Sequence, residues 1–286
     1  IMFLMGIQLL SLTATWIVVG LILLSIVLLI FFFFHEAKTE NPIIPLSIFR
    51  NHDLNGDFIL FATTWGAFIA VNTYLPMWAQ ALLGMSALMG GMTLIPNSIV
   101  EIIASQTVAT IQEKIRTFTL VMIGIVTMMI SSGGLFLANN QTPLWMLIVV
   151  GAFSGIGVGF IFVGLQVKVQ IDAGMKDMAT ATSTSYLIRI LAQTVMAAVY
   201  GVIMNLALAS GINSHSNITM KMMNELSDAK SAKLLPQYLL PEMRRIFHSG
   251  IHEIMAVSFI LLIIATVFNF YFNFRQPNKK LNRSSK

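Results

Sequence analysis

There is no cysteine in the 286 residues, which excludes a disulfide framework and any thiolate metal site. Charge is scarce as well. Asp, Glu, Lys and Arg make up 10% of the chain against 56% hydrophobic residues, where a soluble domain carries about 25% charged. The charges are also clustered: Ile17–Phe34, Phe58–Trp78, Phe118–Leu137 and Leu144–Leu165 contain none. Crossing about 30 Å of hydrocarbon takes about 20 helical residues, and a helix satisfies its own backbone in lipid. Met89–Thr110, Thr180–Ser210 and Ile251–Phe274 are less pure spans of the same kind. The sequence therefore predicts an all-α integral membrane protein with seven full transmembrane helices.

The formal charge of +5 is distributed as membrane topology rather than as a nucleic-acid surface, so no nucleic-acid partner is expected. Ala79–Leu88 and Ala138–Pro143 carry no Lys or Arg, whereas the alternate connections carry Lys38 and Arg50, Lys114 and Arg116, and Lys168 and Lys176. The tail from 275 to 286 adds five more bases. By the positive-inside rule the second set is cytoplasmic, together with the C-terminus. The division expected is a partial helix at 1–10, an accessory helix at 17–34, a cytoplasmic linker at 35–57, a six-helix unit at 58–274 and a basic cytoplasmic tail. Within the six-helix unit, 211–250 is expected as an extracellular loop, with "QYLLPEMRRIF" as an interfacial helix. The opening "IMFLMGIQLL" reads as half a span without a signal peptide's basic region, which predicts the C-terminal part of a longer chain.

Three stretches carry a family resemblance. "HEAKTENPIIPLSIFRN" (35–51), through Glu36, Pro42, Pro45, Leu46, Phe49, Arg50 and Asn51, resembles a cytoplasmic connection of the fourteen-helix drug:proton antiporters of the major facilitator superfamily. "YLPMWAQALLGMSALMGG" (74–91) is similar to the end of their ninth helix, through Leu75, Pro76, Gln80, Gly84, Ser86 and Gly90. The run at 164–201 resembles the entry to their thirteenth, through Ala181, Thr182, Ser183 and Arg189. One loop departs from the pattern: "ATIQEKIR" has Ala109, Thr110, Glu113 and Arg116 where a Gly-Arg, an Asp and a Gly are usual. That places the inner gate, Glu113, Lys114 and Arg116, outside the typical form. The resemblance implies a C-terminal six-helix half of a transporter, preceded by one accessory helix and partnered by a missing N-terminal half of the same polypeptide. It also implies the lipid bilayer as surroundings, a small hydrophobic or cationic substrate, and a proton gradient rather than a cofactor as energy source.

Candidate site residues follow from polarity at depth. Thr93, Asn97, Glu101 and Ser105 recur at i+4 on an otherwise apolar helix, so they share one face. A charge facing lipid at mid-depth costs at least about 2.5 kcal/mol, so that face should meet protein or a wet cavity. Glu101 is then either a protonated structural residue held by Asn97 or a backbone carbonyl, or a proton-coupling carboxylate facing the cleft. Thr182, Ser185, Arg189 and Gln193 make a second stripe, and Arg189 either fixes packing or holds an anionic partner. Direct contact between Glu101 and Arg189 is not expected. Asn72 and Trp65, seven apart, share a face open to substrate. Gly151, Gly155 and Gly159 form a small-residue face that packs helices closely or leaves room for substrate. His248, His252 and Glu253 resemble a metal cluster only loosely and are expected to be solvated, so no metal is assigned.

The functions in competition are proton-coupled multidrug efflux, export of another small molecule (an amino acid, peptide or lipid) on the same fold, and a non-functional truncated transporter. An enzyme is not expected, since no paired carboxylate or nucleophile set occurs at membrane depth.

Overall fold

The computed structural model describes residues 46–215, 217–226 and 231–274. The partial helix at 1–10, the accessory helix at 17–34, the linker residues 35–45 and the tail at 275–286 lie outside the described residues. Within them the regular structure is helical. After a 3-10 turn at Leu46–Arg50 come α1 (His52–Ala81), α2 (Ala87–Met92), α3 (Ile95–Ile111), α4 (Thr117–Leu137) and α5 (Leu144–Asn213). A short α6 (Met220–Leu226), a 3-10 turn (Ser231–Leu234) and α7 (Leu240–Asn273) complete the order.

α1 begins six residues before the expected start at 58, because Asn51 caps it. The Asn51 side-chain oxygen accepts from the backbone N–H of Asp53 at 3.0 Å and of Leu54 at 3.4 Å, and Asp53 lies in the positive first turn. The linker's last residues are therefore helical.

The spans expected at 144–165 and 180–210 are not joined by a loop. They form one 70-residue helical segment in which Gly174 has non-helical angles (φ 69°, ψ 173°). On a straight helix residues 19 apart would be about 28 Å apart. Yet Ser185 Oγ donates to Gln166 Oε1 at 3.4 Å, and the Phe162 ring lies 4.7 Å from Arg189 Cζ. The segment is a hairpin of two helical arms, 144–173 and 175–213, folded at Gly174. One glycine suffices because a backbone with φ near +70° reverses the chain without a loop.

The expected extracellular loop at 211–250 is also largely helical. The second arm continues to Asn213, and α7 starts at Leu240 with Pro241 in its first turn. Proline suits that position because it lacks the N–H that would be unpaired there anyway. The stretch expected as an interfacial helix thus supplies the start of α7.

The first arm occupies the centre of the bundle. Gly151 lies against Leu75 of α1, Gly155 against Asn97 of α3, Gly157 against Gly124 and Met128 of α4, and Gly159 against Glu101 O and Ala104 of α3. All four glycines are buried. The second arm and α7 are both pinned to the middle of α1, where Tyr200 Oη donates to Gly66 O at 2.9 Å and Ser258 Oγ to Ala67 O at 3.0 Å. α7 meets α4 through Asn269 Nδ2, which donates to Phe118 O at 3.2 Å.

Large apolar residues remain exposed on α3 (Ile95, Ile99, Ile102, Ile103) and on the second arm (Ile190, Leu191, Leu206). Such faces suit lipid or another apolar protein surface. Among the described residues five helical segments, α2 and α3 counted together and α5 counted once, are long and apolar enough to cross a membrane.

Candidate transport site

The polar stripe of α3 faces protein on one side only. Thr93 and Asn97 are buried, Glu101 and Ser105 are partly buried, and Ile99, Ile102 and Ile103 on the opposite face are exposed. The cause is the smooth glycine face of the first arm, which lets the α3 backbone approach at Asn97 and Glu101. Glu101 is the sole acid of Ala87–Ile111, a stretch that holds no base. Among the described residues its carboxylate has no ion-pair partner. Asn97 Nδ2 is buried without a hydrogen-bond partner, so the pair reads as polar groups lacking an internal match.

Arg189 is brought together with one of the other candidates. Only 5% exposed, it sits among aromatic rings, with Cζ 5.0 Å from the centroids of Phe61 and Trp65, 4.7 Å from Phe162 and 4.0 Å from Tyr186. Rings at such distances hold a guanidinium through the attraction of a cation for their electron-rich faces. Trp65 also meets Phe61 edge-on at 5.3 Å. Gln193 is half-buried one turn beyond Arg189, and Asn72 is half-buried on α1. Glu113, Lys114 and Arg116 are exposed in the connection between α3 and α4.

A further charged cluster was not anticipated. Lys168, expected in a cytoplasmic connection, is buried: its Nζ lies 2.6 Å from Asp172 Oδ2 and 2.8 Å from Asp57 Oδ1, and Asp57 is fully buried. The Asp57 contact lies off the line of a well-formed hydrogen bond, so it is chiefly coulombic. Asn51 Nδ2 also donates to Asp172 O at 3.0 Å. Together these contacts tie the start of α1 to the hairpin just before Gly174. The i,i+4 spacing of Lys168 and Asp172 was readable as a helical pair; the third member, more than a hundred residues away, was not.

At the other end, of the three residues expected to be solvated Glu253 is exposed, while His248 and His252 are half-buried and in contact with neighbours. His248 Nε2 lies 2.9 Å from Ala138 O, and the His252 ring stacks on Phe136 at 3.8 Å. Among the described residues no group of His, Cys, Asp and Glu could hold a metal ion.

Comparison with known proteins agrees with this architecture. The family model for the Major Facilitator Superfamily matches residues 2–212. Multidrug resistance protein 3 of Bacillus subtilis is 26% identical over 265 residues, covering 87% of this chain and 51% of the relative. The multidrug transporter protein MdtP of the same organism is 26% identical over 195 residues, covering 67% and 35%. The chain thus spans about half, or less, of the length of these relatives. A bacterial homologue of the human lysosomal transporter Spinster, solved inward-facing and unoccupied, superposes with a TM-score of 0.59 at 13% identity, covering 93% of this chain and 61% of that one. That likeness concerns the fold alone. With a family match over most of the chain and helices packed as described, this multi-pass membrane protein belongs to the Major Facilitator Superfamily, whose members are transporters rather than enzymes.

Proposed function

We propose that this chain is the C-terminal half of a proton-coupled multidrug efflux transporter of the cell membrane, its C-terminus cytoplasmic. In this reading it exports hydrophobic or cationic compounds by alternating access. The observation that carries the reading is Glu101, an acid set into an apolar helix, partly exposed and without an ionic partner among the described residues. A carboxylate in that setting serves two cargoes in turn. Neutral when protonated, it is tolerated beside lipid and apolar protein; ionised, it attracts a cation desolvated by the same surroundings. A proton and a cationic drug then compete for one group, and their exchange couples inward proton flow to outward drug flow. Substrate lies near the midplane between two halves that rock about it. The exposed apolar faces of α3 and the second arm fit contact with such a second half. The multidrug relatives support the drug class, and the basic connections support the orientation.

The reading is tested with inside-out vesicles from a pump-deficient bacterium producing the full-length gene product. An imposed inward-acidic gradient should drive ethidium uptake into the vesicles, and a protonophore should abolish it. Uptake that ignores the gradient but requires ATP or a sodium gradient would overturn proton coupling. No uptake of ethidium, or of any of a panel of apolar cations, would overturn multidrug efflux.

A further inference from the structure

The Arg189 guanidinium has two nitrogens, Nε and Nη2, that are buried and have no hydrogen-bond partner. By the geometry of the group these two lie on the same edge, the edge with which arginine grips a carboxylate by two parallel hydrogen bonds. Among the described residues no acid pairs with it. The rings that crowd Cζ at 4.0–5.0 Å attract its charge but cannot accept those two in-plane hydrogen bonds. Leaving donors of a buried ion unmatched is costly, so the arrangement is incomplete as it stands.

Three of the four rings come from α1 and the first arm: Phe61 and Trp65 are buried and Phe162 is half-buried. The fourth differs. Tyr186 is 45% exposed, lies nearest to Cζ, and precedes Arg189 by one turn beside Ile190, which is 59% exposed. Of the four rings it is the most exposed, so it is the member of the cage that a ligand can displace at least cost.

We infer that Arg189 and its aromatic cage form a binding site for the carboxylate of a flat aromatic compound, with Tyr186 as the displaceable cover. A planar carboxylate matches the planar fork, and the compound's ring system takes the place of Tyr186 against Trp65 and Phe162. The cargo of the proposed transporter then includes aromatic zwitterions as well as simple cations. Its place on a transport path rests on the efflux reading; its chemistry rests on the cage alone.

Rhodamine 110 and rhodamine 123 test this, since they share one cationic ring system and differ in carrying a free carboxylate or its methyl ester. Fluorescence polarisation gives their affinities for the purified full-length protein in detergent. The wild type should prefer the acid. Arg189→Gln should reduce the ratio of acid to ester affinity by about tenfold or more, because a site built for a hydrogen-bonded partner discriminates strongly. Arg189→Lys should reduce it too, since an ammonium lacks the fork. Tyr186→Ala should raise it by uncovering the edge, and this variant remains informative if the Arg189 variants do not fold. No preference in the wild type, or a ratio unmoved by the variants while both affinities fall together, would make Arg189 a packing residue and overturn the proposal. Export of the same dyes from cells separates the two readings. A shifted binding ratio without export removes the efflux function and leaves the site, whereas export with an unshifted ratio does the reverse.

Discussion

Glu101 and Gly155 show what single residues can and cannot reveal before a fold is known. The i+4 stripe on an apolar helix leads to the expectation that Glu101 faces protein or a wet cavity; in the structure Thr93 and Asn97 of that stripe are buried, Asn97 against the first arm, and Glu101 is half-buried. The glycine face at Gly151, Gly155 and Gly159 was readable too, but not that it meets this stripe, since glycines carry no side chain that would name a partner. Two measurements probe this contact. Glu101→Gln in the full-length protein should lower ethidium export by about tenfold, roughly 1.4 kcal/mol, and reduce export of neutral apolar compounds far less. Equal losses for both classes would make the residue structural. For Gly155, an added Cβ would press on Asn97 O and lie 2.8 Å from Asn97 Oδ1. Gly155→Ala should therefore cost about 1–3 kcal/mol of stability, seen as a lower melting temperature in detergent. Gly201, also within a helix, has no atom within 4 Å of an added Cβ, so Gly201→Ala is the control and should melt at or slightly above the wild type, since alanine is the better helix former. The cage around Arg189 was only half legible: the arginine and Trp65 stood out, but no spacing in the sequence singled out Phe61, Phe162 and Tyr186.

At the scale of elements, the helices were legible as apolar runs, but their ends were not. Apolar length reports the hydrocarbon crossing, while caps and buried ion pairs decide where a helix stops, and α1 and α7 both extend past their apolar cores. The hairpin at Gly174 was hidden for the same reason. The bases on either side of it, Lys168 and Lys176, read as an exposed connection, yet Lys168 is buried between Asp57 and Asp172. Removing one partner of a buried pair leaves the other uncompensated and costs about 3–5 kcal/mol. Lys168→Met should therefore lower the melting temperature sharply. Adding Asp57→Asn to it should recover part of the loss; if the double variant is no more stable than the single one, the pair is not coupled. Gly174 itself carries a different strain. Nothing lies within 4 Å of a Cβ placed there, but φ is +69°, so Gly174→Ala should cost about 1–3 kcal/mol through backbone conformation alone. A melting curve unchanged from wild type would mean that the hairpin can be made without that angle.

For the whole molecule, the membrane orientation is a consequence of where charge remains available, and the absence of cysteine makes it measurable. Lys168 is held between two carboxylates and contributes little to topology. Lys114, Arg116 and Lys176 are exposed and carry the positive-inside signal for their connections. The α3–α4 connection and the Gly174 turn should then share the cytoplasmic side. The α4–α5 connection, with Asn139 and Asn140 and no base, should lie opposite. With no native cysteine in the chain, Lys114→Cys and Asn140→Cys each introduce a single thiol into it; any cysteine in the remainder of the full-length protein would first be replaced. A membrane-impermeant maleimide added to intact cells should label Cys-substituted Asn140 and leave the Lys114 variant unlabelled until the membrane is opened. Labelling of both positions in intact cells would mean that α4, the one helix between them, does not cross the membrane. Labelling of the Lys114 variant alone would invert the orientation, with the α3–α4 connection outside and the α4–α5 connection inside.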